Sequence, residues 1–147
     1  MATDFEQGLF EEELLEVRNL PEAARWKLER DESVPLGLFA TMHPIGKPTE
    51  LYKAHLRWNS LFTPPSLKFV DPSSGAENIP SAWPQCFGFR PGSLDACLPW
   101  TAEGHLLHPE WARTTKNSFP KVDAPVQFAL LNIQISLDKT YTGRGRP

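Results

Sequence analysis

The sequence predicts an α+β domain in which an antiparallel meander sheet of about four strands lies between an N-terminal helix and a later helix. The sheet is predicted from the alternation of apolar and polar residues within 51–59. The helices are predicted from apolar residues that recur at helical spacing near each end of the chain. The 15 prolines, set mostly between residues 35 and 125, disfavour long helices in that interval.

The first predicted helix covers roughly residues 4–18. Phe10, Leu14 and Val17 form its apolar stripe, and the glutamates of residues 11–16 are expected largely on the opposite, solvent-facing side.

The segment after this helix can be interpreted in two ways. Pro21 either ends the helix or interrupts it, because EAARWKLER (22–30) is also compatible with helical turns.

Three further segments predict strands. LGLFATMHP (36–44) is apolar and bounded by prolines, and SLKFVDP (66–72) places Leu67 and Phe69 on one face. LYKAHLRWN (51–59) has the clearest alternation. It predicts a buried face formed by Tyr52, Ala54, Leu56 and Trp58. The opposite face, in water, is formed by Lys53, His55 and Arg57.

Residues 71–122 are rich in proline and aromatic residues and show no period, which predicts long irregular loops. These loops contain both cysteines, Cys86 and Cys97. A helix is then predicted over 124–139, with Pro125 in its first turn. Its apolar stripe consists of Val126, Leu130, Ile133 and Leu137.

Composition narrows the class of protein. A chain of 147 residues is predicted to be a single domain, residues 1–147. A net charge of −3 gives no reason to expect nucleic acid or an anionic membrane as a partner. The loop aromatics lack the interleaved basic residues of a single-strand-binding surface, so they are expected to pack on the core. An acidic start, no membrane-length apolar run and two cysteines predict a cytoplasmic protein with free thiols.

Three motifs, in order along the chain, resemble the ubiquitin-conjugating enzyme (UBC-like) family. LYKAHLRWNSLFTPPSLKFVDP (51–72) is similar to a meander strand that runs through an aromatic-Pro-Pro turn into the next strand. ACLPW (96–100) is similar to the Cys-Leu context of the catalytic cysteine, and LLNIQISL (130–137) is similar to the helix that follows it. The resemblance covers roughly residues 36–138. It is strongest to divergent bacterial members encoded in ubiquitin-like conjugation operons, some of which are implicated in antiphage defence.

The resemblance implies a UBC-like fold with long active-site loops and a central helix after the catalytic cysteine. It implies a carrier that accepts a ubiquitin-like protein as a thioester on Cys97 from an activating enzyme and transfers it to an amine of a target protein. Transthiolation of this kind requires neither a metal nor a cofactor. Phe62, Pro64 and Pro99 are the candidate partner contacts, because the family's loop at Phe62 contacts ligases.

The chain departs from the family pattern around the cysteine. The family's His-Pro-Asn triplet is absent from AENIPSAWPQCFGFRPGSLDAC (76–97), and the first helix is acidic where the family's is commonly basic. The family's later helices are not predicted after residue 139. Glu103, His105 and His108 follow Cys97 and are candidates to help deprotonate the incoming lysine.

Three alternatives remain open. A catalytically inactive interaction module would bury Cys97, as free cysteines commonly are. A cysteine hydrolase would pair Cys97 with His105 or His108. A zinc site would combine both cysteines with these histidines, although the spacings differ from those of the usual zinc motifs, so no metal is expected. Cys86 is expected to be structural.

Overall fold

The computed structural model describes residues 2–147, which contain three α-helices and a four-stranded antiparallel sheet. The helices are α1 (Asp4–Val17), α2 (Ala102–Leu107) and α3 (Pro125–Lys139). The sheet has the order β1 (Lys27–Arg30), β2 (Gly37–Met42), β3 (Tyr52–Arg57) and β4 (Ser66–Val70). Four two-residue strands follow, β5 (Pro84–Gln85), β6 (Phe89–Arg90), β7 (Asp95–Ala96) and β8 (Gly143–Arg144), paired β5–β8 and β6–β7. The predicted α+β class and meander are confirmed.

The register of the meander explains which face of the sheet forms the core. Ala54 lies opposite Ala40 and Phe69, and all three side chains are buried. Leu56, two residues further along β3, is buried in the same way between its partners on β2 and β4. The buried face predicted from the alternation of β3 is therefore confirmed.

His55 corrects the other half of that prediction, because it is buried rather than facing water. Its Nε2 lies 2.7 Å from Oδ2 of Asp31, and its ring stacks on Phe39 with centroids 4.2 Å apart. The strand alternation places His55 on the outer face of the sheet. Asp31 and Phe39 cover it there and so bury it.

The apolar stripe of α1 is buried as predicted, with Phe10 and Val17 fully enclosed. Glu13 is the exception among the glutamates that were expected in solvent, since it is also buried. Its two carboxylate oxygens accept hydrogen bonds from the backbone N–H groups of Val126 and Gln127, at 3.1 and 2.8 Å. Ala124, at the N-terminal boundary of α3, offers no side-chain cap, so Glu13 supplies one from a different helix.

Residues 22–30 do not continue the first helix. A short 3₁₀ helix, Pro21–Arg25, leads into β1, which pairs with β2. The indole N–H of Trp26 donates to Oε1 of Gln134 on α3 at 2.8 Å, and this buried bond joins the start of β1 to that helix. The first helix therefore ends before Pro21, and residues 27–30 form a strand because they pair with β2.

Residues 71–122 are largely irregular, as predicted, with α2 as an unpredicted helix of six residues. Trp83, Phe89 and Trp100 pack into the core, as expected for the loop aromatics. Phe87 differs, because 75% of its surface is exposed. Among the helices of residues 2–147, none combines the length and apolar character needed to cross a bilayer.

Candidate active site

Cys97 directly follows a small hairpin formed by β6 and β7. Phe89 lies opposite Ala96, and both side chains are buried. Side chains alternate along a strand, so Arg90, Asp95 and Cys97 lie on the other face of this hairpin. The backbone N–H of Cys97 donates to the carbonyl of Gly88 at 2.8 Å, which extends the ladder by one step past β7. The thiol is half-buried.

Gly88 has a conformation that the hairpin requires. Its φ is +86°, and a Cβ at this position would lie 2.5 Å from the side chain of Leu98. Both observations restrict the position to glycine. Gly88 thus accepts the hydrogen bond from Cys97 and also leaves space for the side chain of Leu98.

The hydroxyl of Thr101 fixes the backbone on both sides of Cys97. It donates to the carbonyl of Ala96 at 2.6 Å and accepts from the N–H of Leu98 at 3.2 Å. It also accepts from the N–H of Gly104 at 3.1 Å, which caps the first turn of α2. Thr101 is completely buried, so one side chain couples the cysteine loop to α2.

Two opposing charges act on the thiol. Burial raises the pKa of Cys97 above its ordinary value, the Arg90 guanidinium lowers this pKa, and the Asp95 carboxylate raises it. Arg90 and Asp95 form a two-point ion pair across the hairpin, with Nε to Oδ1 at 2.6 Å and Nη2 to Oδ2 at 2.9 Å. The free protein therefore holds Cys97 mainly as a protonated thiol beside a paired cation.

Cys86 has a different environment. Burial raises the pKa of its thiol to about 12, against the smaller opposing effect of a hydrogen bond with Thr140. It therefore stays protonated throughout the neutral range, as a structural cysteine would.

The three candidate acid–base residues have hydrogen-bond partners away from the thiol. Glu103 accepts from Oγ of Ser66 at 2.5 Å and from the N–H of Leu67 at 3.0 Å, so it anchors α2 to the start of β4. His105 Nε2 lies 2.6 Å from the Pro99 carbonyl.

His108 stacks on Trp111, with centroids 4.3 Å apart, and its Nδ1 lies 3.1 Å from Oε1 of Glu110. No hydrogen bond within residues 2–147 joins His108, His105 or Glu103 to Cys97. This arrangement gives the hydrolase alternative no nucleophile–base pair.

Phe62 is the most accessible of the candidate partner contacts, with 63% of its surface exposed. It borders a groove of about 410 Å³ that is also lined by Leu61, Phe119 and Pro120. The turn that carries Phe62 is fixed by Glu6, whose Oε1 accepts from Oγ of Ser60 at 2.5 Å and from the N–H of Leu61 at 3.0 Å.

Pro64 and Pro99 are both half-buried. Pro99 lines a second groove, of about 280 Å³, together with Trp100 and Phe128. Pro120 lines both grooves, so the Phe62 surface continues toward the segment that follows Cys97.

The described residues contain no group of three or more His, Cys, Asp or Glu side chains arranged to hold a metal ion. Sequence reasoning missed Arg90, Asp95 and Thr101. Signals for them exist, because Arg90 and Asp95 are opposite charges flanking a Pro-Gly turn, and Thr101 directly precedes a helical segment as an N-cap residue does.

No protein-family model, no curated protein and no solved structure matches this chain.

Proposed function

We propose that this protein is a ubiquitin-conjugating-enzyme-like carrier with a UBC-like fold, in which Cys97 holds a ubiquitin-like protein as a thioester. The observation that carries the proposal is the placement of Cys97. A half-buried thiol follows a small hairpin between the meander and α3, in the chain order that the motif resemblance implies. A thiol that forms a thioester with a protein must be fixed in position and accessible from one side.

The chemistry has two steps. The Cys97 thiolate attacks the thioester carbonyl on the activating enzyme, and the carbon–sulfur bond to that enzyme breaks as its thiolate leaves. An amine of the target then attacks the new thioester, an amide bond forms, and Cys97 leaves as a thiolate that takes up a proton. Both steps need only the thiol, oriented donors and the partner proteins.

The grooves beside the site suit protein partners. Phe62 and Pro99 line two adjoining apolar grooves that share Pro120. Exposed aromatic side chains beside apolar surface are common features of protein-binding sites. We assign Phe62, Pro64 and Pro99 to the contacts with the activating enzyme or a ligase.

A charging assay tests this function. The protein is incubated with ATP and with an activating enzyme and a ubiquitin-like protein from a bacterial conjugation operon, then analysed by non-reducing gel and intact mass. We expect a reductant-sensitive adduct in the parent and in the Cys86→Ala variant, and none in Cys97→Ala. A demonstrably charged activating enzyme that leaves the parent unmodified would refute the proposal, as would equal conjugation by Cys97→Ala.

A catalytically inactive interaction module of the same fold is the second candidate. The raised pKa of Cys97 favours it, because a carrier thiol must ionise to react. Under this alternative, Cys97→Ala retains full partner binding while Phe62→Ala loses it, and no adduct forms in the charging assay.

A further inference from the structure

The guanidinium of Arg90 is held in one orientation and retains a free donor group. Nε and Nη2 both donate to the carboxylate of Asp95, at 2.6 and 2.9 Å. Nη1 makes no hydrogen bond to any part of residues 2–147. A planar guanidinium clamped through one edge presents its remaining N–H groups in a fixed direction. Asp95 therefore orients a cation whose hydrogen-bonding capacity is only partly used.

This cation belongs to the same surface as the thiol. Arg90 and Asp95 are directly opposite each other on β6 and β7, and Cys97 follows Asp95 by two residues, so strand alternation places all three on one face. The residue paired with Cys97 across the ladder is Gly88, whose carbonyl accepts the hydrogen bond from the N–H of Cys97. The influence of Arg90 on the pKa of Cys97 agrees with this proximity.

We propose that Arg90 Nη1 donates a hydrogen bond to the carbonyl oxygen of an acyl group on Cys97, and that Asp95 is the positioning residue that aims it. The proposal rests on the proposed function and names the group that binds the thioester. Attack on a thioester places negative charge on this oxygen, and an oriented, permanently charged donor stabilises that charge. This role requires no residue of the absent His-Pro-Asn triplet.

The test compares two reactions of the same thiol in the Cys86→Ala background. Alkylation by iodoacetamide displaces iodide and forms no oxyanion, so its rate reports the thiolate fraction and access. The second probe is the thioester of N-acetylglycine with the neutral thiol N-acetylcysteamine. Cys97 attacks its carbonyl, the bond to N-acetylcysteamine breaks, and the released thiolate takes up the proton that Cys97 lost. Intact mass measures both products across a range of pH.

The diagnostic quantity is the ratio of the acylation rate to the alkylation rate at equal thiolate fraction. We expect Arg90→Met to lower this ratio roughly tenfold, less than for a fully buried oxyanion site because solvent screens the charge. Arg90→Lys keeps the charge but loses the two-point clamp, so it should recover only part of the ratio. Arg113→Met, which removes an exposed arginine on the 3₁₀ helix Pro109–Arg113, is the matched control and should leave the ratio unchanged.

The Asp95→Asn variant tests whether the orientation of the Arg90 guanidinium matters in addition to its charge. Removing this carboxylate lowers the pKa of Cys97 and should speed alkylation near neutral pH, whereas loss of the clamp should lower the acylation-to-alkylation ratio. A ratio that stays within about twofold of the parent in Arg90→Met, or that rises in Asp95→Asn, would overturn the proposal. The small-molecule ratio needs no partner protein, so its outcome is independent of the charging assay.

Discussion

Glu13, on α1, accepts a hydrogen bond from the backbone N–H of Val126 at 3.1 Å and thereby caps α3 from a different helix. The first N–H groups of a helix lack partners within the helix, and Ala124 cannot supply one. The contact joins two elements separated by most of the chain. It also sets the position of the helix that follows the cysteine loop.

Replacement of Glu13 by alanine should therefore destabilise the fold. Two backbone donors of α3 lose their acceptor, at a cost of about 1–3 kcal/mol in the free energy of unfolding. Urea denaturation followed by circular dichroism measures this change. Glu16→Ala removes an exposed glutamate of the same helix and should cost much less. Equal effects of the two substitutions would contradict the capping role.

Thr101→Val should loosen the backbone around Cys97. Valine matches threonine in shape but leaves the N–H groups of Leu98 and Gly104 without their acceptor in a buried site, which should cost about 1–3 kcal/mol in unfolding free energy. Thr101→Ser keeps the hydroxyl and is the control. Native-state hydrogen exchange should show faster exchange at Leu98 in the valine variant alone. Unchanged exchange there would mean that the hydroxyl does not fix this loop.

Gly104→Ala should be strongly destabilising because of backbone packing. A Cβ at Gly104 would lie 2.2 Å from the carbonyl oxygen of Leu98, and neither backbone can move away cheaply. We expect a loss of about 1–3 kcal/mol or more in unfolding free energy. Gly92→Ala is the matched control, because a Cβ there meets no atom within 4 Å. Thermal unfolding of both variants tests this difference, and similar melting temperatures would refute it.

The two cysteines should react with a thiol reagent at very different rates. A thiol with a pKa of about 12, as in Cys86, is ionised to only about one part in ten thousand near pH 8. Cys97 should alkylate faster, and because its pKa is also raised, its rate should still increase with pH above the range of an ordinary thiol. Iodoacetamide labelling of Cys86→Ala and Cys97→Ala, read by mass, separates the sites. Faster labelling of Cys86 would reverse this assignment.

Asp31 should make stability depend on acid pH. Burial alone would raise its pKa, but hydrogen bonds with Ser33 and His55 outweigh this effect and hold the pKa below the ordinary value. A carboxyl whose folded pKa is lowered stabilises the protein above its unfolded pKa, and this contribution disappears as the pH falls through the folded pKa.

The measurement is the free energy of unfolding of parent and Asp31→Asn at about pH 7 and at about pH 3. We expect the parent to lose more stability on acidification than the variant does. Glu32→Gln, which neutralises the exposed neighbouring carboxylate, should retain the pH dependence of the parent. An Asp31→Asn variant with the full pH dependence of the parent would rule out this carboxyl as its source.

The sequence predicts those elements whose pattern reflects a single buried face. The alternation of β3 and the apolar stripe of α3 identify both elements, because each packs one face on the core. The sequence leaves the short strand β1 ambiguous, because four residues carry little periodic signal and the strand is defined by pairing with β2. The pattern places Glu13 and His55 in solvent for a related reason, since the partners that bury them lie far away in sequence.

The candidate site divides in the same way. The prediction of Cys97 as the candidate carrier thiol comes from a local motif and its order relative to other motifs. The sequence does not single out Arg90, because its place beside Asp95 depends on the pairing of β6 with β7, and strands of two residues have no periodic signal. Proximity in sequence to Cys97 makes Glu103 a candidate, yet its carboxylate bonds to β4.

Those bonds from Glu103 have a consequence for how chains can associate. β4 is an edge of the sheet, and an open edge offers unpaired N–H groups to any passing strand. Here the outward N–H of Leu67 is already bonded to Glu103, and the neighbouring carbonyl of Pro65 accepts from the N–H of Ala102. A second chain that paired with the first residues of β4 would first have to detach α2. The same short helix therefore covers the beginning of this sheet edge and is joined to the cysteine loop through Thr101.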